Sequence, residues 1–407
     1  MRALVVMAVP PLSEGGAPGR CALGLMRGLA ANGIDVRGLA GRHVFDAEVP
    51  HDVPVELVPV DPVEGGWSAW PAMLRWPGGH LANGALGQRV RELAPDVDVI
   101  HLEQTGTAWC DDGLPTPSLV HLHCRVRRDR SLGAPWRKDF RSVLVHALAE
   151  RAAIRRHRYL VASSPLIADA LRAEAPHAEV VHAPLSLDPQ YYEPAALDGP
   201  PVAGIIGTGF WPPTAGAIRR LVRDVWPIVQ RRVPEARLLI AGRGVESIPD
   251  LPMPAGAEIV GEVPSAAEFL RSLSLLLYPL ERGSGMKVKV LEALACGVPV
   301  VTTTGGAEGV VANAGVVMSE TDADLATAAV DILRDEEERR QRGDAARHAF
   351  LRHYTPKSAV EPLVDLYSRM DGRSPRMSRT SAQTRLLRVT REERLSPCAT
   401  STRNTTR

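Results

Sequence analysis

The stretch Gly283-Ser-Gly-Met-Lys-Val-Lys-Val-Leu-Glu-Ala-Leu-Ala-Cys-Gly-Val-Pro-Val-Val301 decides how this chain is read. Just before it, Leu275 to Leu280 is an apolar run with the length of a buried strand. Gly283-Ser284-Gly285 is a turn, and Lys287 to Ala295 has the pattern of a helix that stops at Gly297. A strand, a glycine turn and a helix start make an anion site, because the first helical N–H groups are unpaired and the helix dipole favours negative charge there. Of the 48 basic residues only Lys138, Lys287, Lys289 and Lys357 are lysines, and two of them fall in this turn. A compact ammonium on a flexible stem suits such a site better than a guanidinium fork. Glu292 shares a helix face with Lys289 about one turn further in. It reads either as an acceptor for ribose hydroxyls beside a held diphosphate, or as half of a surface pair with Lys289 worth about 0.3–0.5 kcal/mol.

The segment resembles the donor site of the family 4 retaining glycosyltransferases of GT-B fold, in the branch carrying Gly-Ser-Gly-x-Lys-x-Lys-x-x-Glu-Ala-x-Ala-x-Gly-x-Pro-Val-Val. That branch continues after the next strand with Gly-Ala-Glu-Gly, which stands here as Gly306-Ala-Glu308-Gly309 behind Val298 to Val301. Val202-Ala-Gly-Ile-Ile-Gly-Thr-Gly-Phe-Trp-Pro-Pro resembles the opening strand and loop of the donor domain. Ala236 to Gly244 resembles its second strand and turn, and Ile259 to Pro264 its third. About 160 residues, from Pro200 to near Tyr354, follow the family pattern in order. The N-terminal half matches more loosely.

The resemblance implies an α/β chain of two Rossmann-like, doubly wound parallel-sheet domains facing across a cleft. Residues 1–190 are expected to form the acceptor-side domain and 191–355 the nucleotide-sugar domain. A closing helix over 356–371 and a disordered basic tail over 372–407 follow. Among the donor contacts it implies Gly15, Gly16, Gly207, Gly242, Arg243, Arg282, Gly283, Ser284, Gly285, Met286 and Glu292, and at the reacting centre Lys287, Lys289 and His123. His101, Glu103 and His121, at or near the ends of two strands, are expected on the acceptor side. The implied donor is a UDP- or GDP-linked sugar. The acceptor is a small molecule, a lipid-linked carrier or a polysaccharide, with no metal or other cofactor.

Two departures from the family pattern bear on mechanism. Its commoner members have two glutamates eight positions apart; the later matches Glu292, and the earlier falls on Ser284, which cannot carry that charge. The frequent arginine and lysine after the first donor strand are replaced by Phe210-Trp-Pro-Pro-Thr214. Neutralisation of a diphosphate is therefore expected from Lys287, Lys289, the glycine turn and Arg282.

At 407 residues the chain has room for two domains that each bury a core. Its 45% apolar and 23% charged content is globular, and no run approaches the roughly 20 apolar residues of a membrane span. Met1 to Val9 reads as a first buried strand, since no small-residue cleavage site follows it. Five scattered cysteines, Cys21, Cys110, Cys124, Cys296 and Cys398, lack zinc-site spacing and point to a reducing, cytoplasmic setting. From Gly372 onward nine arginines oppose two glutamates, a local +7, so the formal net charge of +1 leaves −6 on the rest. This tail reads as a solvated extension, with a weak membrane-surface contact as its functional alternative and no nucleic-acid partner expected.

In the N-terminal half, residues 2–9 read as a strand, Gly15 to Gly19 as a loop, Arg20 to Asn32 as a helix and Asp35 to Ala40 as the next strand, a right-handed parallel unit. Val97 to Leu102, Ser118 to His123, Tyr159 to Ser164 and Ala178 to His182 read as further strands, and Asp188 to Pro200 as the linker. Ligands of open parallel sheets bind beyond the carboxyl ends of the strands, which is where Gly15, Gly16 and His123 fall. Arg125, Arg127, Arg128 and Arg130 read as a solvated cluster or as a lure for an anionic acceptor. Two other readings stay open: a GT-B enzyme of different chemistry, such as an epimerase or a transferase-like enzyme coupling non-sugar rings, and a non-catalytic nucleotide-binding protein.

Overall fold

The computed structural model describes residues 1–42, 48–60, 84–134, 136 and 140–372. Lys138 and most of the basic tail lie outside the described residues. Strands β1 (Arg2–Met7), β2 (Asp35–Arg42), β3 (Val55–Pro59), β4 (Val99–Glu103), β5 (Ser118–Leu122), β6 (Tyr159–Ala162) and β7 (Glu179–His182) form one sheet in the order β3-β2-β1-β4-β5-β6-β7. Strands β8 (Val202–Ile206), β9 (Arg237–Ala241), β10 (Ala257–Gly261), β11 (Leu275–Tyr278), β12 (Val300–Thr302) and β13 (Val316–Met318) form a second, in the order β10-β9-β8-β11-β12-β13. Neighbouring strands pair in parallel throughout.

The strands read as unbroken apolar runs because helices cover both faces of each sheet. Along β1, Leu4 and Val6 enter one core cluster with Ile100 and Leu102. Ala3, Val5 and Met7 enter another with Leu23 and Met26 of the Ala17–Ala31 helix, as the two-residue period of a strand requires. The second sheet has its own larger core, including Ile205, Trp226, Ile240, Leu276 and Leu294.

Each sheet has one place where the winding reverses. After β3 the chain returns past β1 to add β4, and after β10 it returns past β8 to add β11. The loops beyond these strand pairs diverge and leave a crevice, so the site must be sought at the carboxyl ends of β1 and β4 in one half and of β8 and β11 in the other.

Two expectations change in detail. The Asp188–Pro200 segment is no plain linker: it holds a short turn at Pro189–Tyr191, and Tyr192 is buried in the core of the second half. The single closing helix is two, Pro356–Ala359 and Glu361–Met370, with Pro362 in the first turn of the second. Leu363, Leu366, Tyr367 and Met370 bury themselves in the N-terminal core beside Ala3 and Val5.

Candidate active site

A cleft of about 850 Å³ opens between the two switch points. Its N-terminal wall is formed by Ser13 to Pro18, Arg20 and Cys21 after β1, Gln104 after β4, and His123, Cys124 and Asp129 after β5. Its C-terminal wall is formed by Gly207, Thr208 and Trp211 after β8, Gly242 and Arg243 after β9, Glu262 to Ala267 after β10, and Gly283, Ser284, Met286 to Lys289 and Glu292 after β11, with the expected Gly285 behind the lining. Of the residues expected to hold donor, Gly15, Gly16, Gly207, Gly242, Arg243, Gly283, Ser284, Met286, Lys287, Lys289 and Glu292 all line this one cleft, with His123 opposite.

The helix Val288–Ala295 starts at the cleft with Lys287 as its N-cap residue and no side-chain cap. Its first internal bonds run from the Val290 and Leu291 amides to the Lys287 carbonyl, so the preceding amides lie ahead of the hydrogen-bonded helix. Lys287 donates from Nζ to the Gly285 carbonyl. Burial lowers its pKa, and the nearby Glu308 and Asp129 carboxylates oppose that fall. Gly285 has φ +73°, and a Cβ there would overlap the His123 carbonyl, so glycine lets this turn close against the end of β5.

Lys289 reaches away from its own helix. Its Nζ donates to Thr214 Oγ1 at 2.9 Å and stands 4.6 Å from the centre of the Tyr278 ring. A Cβ at Gly207 would lie 2.6 Å from that ammonium, so the glycine after β8 makes room for it. The loop that lacks its own arginine and lysine thus receives a cation from another element. Desolvation lowers the Lys289 pKa to about 7, with Lys287 adding to the fall and Glu292 opposing it.

Glu292 forms no surface pair with Lys289. It is buried, with Arg20 Nε of the N-terminal half 2.9 Å from Oε1 and the Tyr192 hydroxyl donating to the same oxygen at 3.0 Å. Both partners also line the cleft.

Three expected residues stand off the cleft wall. His101, Glu103 and His121 are buried behind His123, because strand side chains of one parity share a face and these four stack across β4 and the end of β5. Glu103 Oε1 lies 2.7 Å from His123 Nε2, and its Oε2 lies 3.0 Å from His101 Nε2 and 3.3 Å from His121 Nδ1. The other ring nitrogen of His101, Nδ1, is 2.6 Å from the Tyr367 hydroxyl. Burial pushes the Glu103 carboxyl up, but the histidines outweigh it and hold it well below the usual carboxylate range. Burial lowers His121 to about 4, so Glu103 is ionised and His121 neutral at pH 7. The group lies directly behind His123, whose Nδ1 is 3.5 Å from Gln104 Nε2. One ligand atom each of His101, Glu103 and His121 lies within 4.8 Å of the others, the spacing of an imidazole–carboxylate cluster. Gln104 itself has φ +65°, an uncommon backbone state at the cleft edge.

Arg282 is also displaced from its expected place. It is exposed, donates from Nε to the Arg128 carbonyl at 3.1 Å and borders a smaller cavity of about 320 Å³ outside the main cleft. Arg125 does not serve as a free lure, since it pairs with Glu150 at 2.9 Å and Glu174 at 2.6 Å. Glu308 reaches across to the N-terminal half, accepting from Ser164 Oγ at 2.5 Å.

Sequence reasoning missed Arg20, Gln104, Tyr192 and Asp129. Each is a single residue in a segment with no repeat of type or spacing. Only topology brings them to the cleft.

Two family models match the chain: "Glycosyl transferase 4-like domain" over residues 16–185 and "Glycosyl transferases group 1" over residues 200–335. No curated protein sequence matches it. Among solved structures, sucrose-phosphate synthase from Thermosynechococcus elongatus superposes with a TM-score of 0.65 at 15% identity, over 92% of this chain and 100% of that one. HepE of Anabaena, in complex with UDP-glucose, gives 0.63 at 14% identity over 90% and 99%. WaaG, a glycosyltransferase involved in lipopolysaccharide biosynthesis, gives 0.62 at 14% identity over 91% and 100%. These likenesses fix the two-domain GT-B fold, and the chain belongs to the group 1, family 4 glycosyltransferases.

Proposed function

We propose that the protein transfers a sugar from a UDP- or GDP-linked donor to a hydroxyl acceptor with retention of anomeric configuration. One observation carries this reading: Lys287, Lys289 and an uncapped helix start converge on a cleft at the switch points of both sheets. Such a site favours the charge that develops on a departing diphosphate. The bond from the anomeric carbon to the diphosphate oxygen breaks, and the acceptor oxygen bonds that carbon on the same face. The acceptor proton passes to the leaving phosphate oxygen. No nucleophile from the protein and no metal enters this scheme.

In this reading Arg243 and the Glu262–Pro264 loop lie toward the nucleoside, and His123, oriented by Glu103, toward the sugar. HepE was solved with UDP-glucose and with UDP and glucose, which favours a nucleotide-sugar in the corresponding cleft here. Among the described residues no helix is long and apolar enough to cross a membrane. We place the reaction in the cytoplasm, with a small-molecule, lipid-linked or polysaccharide acceptor. The basic tail adds at most a weak membrane-surface contact.

The test is product analysis. Purified protein is incubated with UDP-glucose, UDP-galactose or GDP-mannose and a panel of alcohol acceptors, and the anomeric proton coupling of any glycoside is read by NMR. An α-linked product from an α-linked donor supports the reading. A β-linked product sinks retention, and a free sugar epimer shifts the reaction to the epimerase class.

A further inference from the structure

The donor turn lacks a carboxylate at Ser284, and the other half of the chain supplies one beside it. Asp129 ends the short Val126–Asp129 helix, is 6% exposed, and forms part of the wall of both the main cleft and the smaller cavity lined by Arg130, Glu281 and Arg282. The Ser284 hydroxyl donates to Asp129 Oδ1 at 2.7 Å and itself accepts the Arg125 amide at 2.7 Å. A serine is therefore the right residue at this point: it is short enough to let Asp129 in and polar enough to fix it. Burial raises the Asp129 pKa, while Ser284, Lys287 and Cys124 restrain the rise.

A carboxylate has about four acceptor sites. The Ser284 hydroxyl takes one of them, at Oδ1. Acceptor capacity beyond that bond remains on a residue of the cleft wall. An anion is repelled there, and the cations and helix start that suit a diphosphate lie along Lys287 and Lys289. What a lone carboxylate acceptor recognises in such a place is a neutral hydroxyl group.

We propose that Asp129 is a donor-sugar recognition residue, accepting a hydrogen bond from a hydroxyl of the transferred hexose, with Ser284 positioning it. The proposal rests on the nucleotide-sugar reading above and deepens it. A site built to pair a substrate hydroxyl discriminates strongly against its loss, because the buried acceptor is then left unpaired.

The test separates the sugar from the nucleotide. Calorimetry measures binding of UDP, GDP, UDP-glucose, UDP-galactose and GDP-mannose to the native chain, to Asp129→Asn and to Ser284→Ala. The expected result is that Asp129→Asn binds the nucleotide diphosphate within about twofold of native but at least one sugar conjugate about tenfold more weakly. Ser284→Ala shifts the same ratio less. Unchanged affinity of Asp129→Asn for all three sugar conjugates would overturn the proposal. Loss of nucleotide diphosphate binding in both variants would make the pair a strut between the halves and overturn it too. If the native chain binds none of the five, the donor reading itself falls, and the sugar assignment with it.

Discussion

The two halves of the molecule are wound on the same plan yet meet the cleft in opposite ways. The C-terminal half brings its chemistry on one continuous segment, Gly283 to Glu292, where a turn, two lysines and a carboxylate follow one another along a helix start. The N-terminal half brings four single residues from behind three different strands: Arg20 after β1, Gln104 after β4, and His123 and Asp129 after β5. The difference is one of charge as well as spacing. One side supplies free amides and ammonium groups, and the other a carboxylate–histidine stack and an arginine that reaches over to Glu292. In the proposed reading a diphosphate is held on the first side and polyhydroxylated groups on the second.

The largest effect should come from the continuous side. Lys287→Ala is expected to lower kcat by about 10²–10³-fold, the loss seen when one preorganised donor of about 3–4 kcal/mol is removed from a developing anion. A steady-state assay with a turnover-competent donor reads it. A fall of less than about tenfold would break the division of labour proposed for the two walls.

The scattered side should fail differently, in stability as much as in rate. Glu103→Gln removes the ionised centre of the His101, His121 and His123 stack. It is expected to cost about 2–3 kcal/mol, within the range for losing hydrogen bonds to a charged group. Urea unfolding at pH 7 measures it. A variant as stable as the native chain would show that the stack is not what holds His123 in place.

The two lysines are set apart by pH. The folded pKa of Lys289 is lowered to about 7 from 10.5, so between these values the unfolded chain binds more protons than the empty folded one. The stability of the empty protein should therefore rise with pH from about 7 to about 10, and no such contribution changes below pH 7. Donor binding restores the charge, so at pH 8 binding of nucleotide diphosphate should take up a proton. Calorimetry in two buffers of different ionisation heat counts it. Lys289→Ala should abolish the uptake; uptake that persists in that variant would move the titration to another group.

The smallest effect concerns the bridge between the walls. Tyr192→Phe deletes one hydrogen bond to the Glu292 carboxylate and should cost about 1.5 kcal/mol, with Arg20 still in place. A change well above 3 kcal/mol in denaturant unfolding would mean that Tyr192, and not Arg20, is the main partner of Glu292.

Much of the fold was legible because both sheets are buried on both faces and their strands read as apolar runs separated by helix patterns. The donor turn was legible because its residues are neighbours in sequence, and their spacing alone puts them at a helix start. The destinations of the side chains were not. Nothing in the order of residues says that Lys289 crosses to Thr214, that Glu292 turns from Lys289 to Arg20, or that Asp129 meets Ser284 across a separation of 155 residues. His101, Glu103 and His121 were recognised as a polar group at the strand ends, but strand parity alone does not tell a residue on the cleft wall from one behind it. Arg282 was counted as a donor cation because it precedes the turn. Its guanidinium donates to the Arg128 carbonyl instead.

The central claim is that the cleft holds a nucleotide diphosphate through the Gly283–Glu292 segment. Thermal unfolding of the native chain, Lys287→Ala and Glu292→Ala with UDP, GDP, dTDP or ADP tests it most directly, since a ligand bound only by the folded state adds about 2.7 kcal/mol at a hundredfold excess over its Kd. The account predicts stabilisation of the native chain by one of the four and its loss in both variants. Stabilisation by none of them, or equal stabilisation of all three proteins, would contradict it.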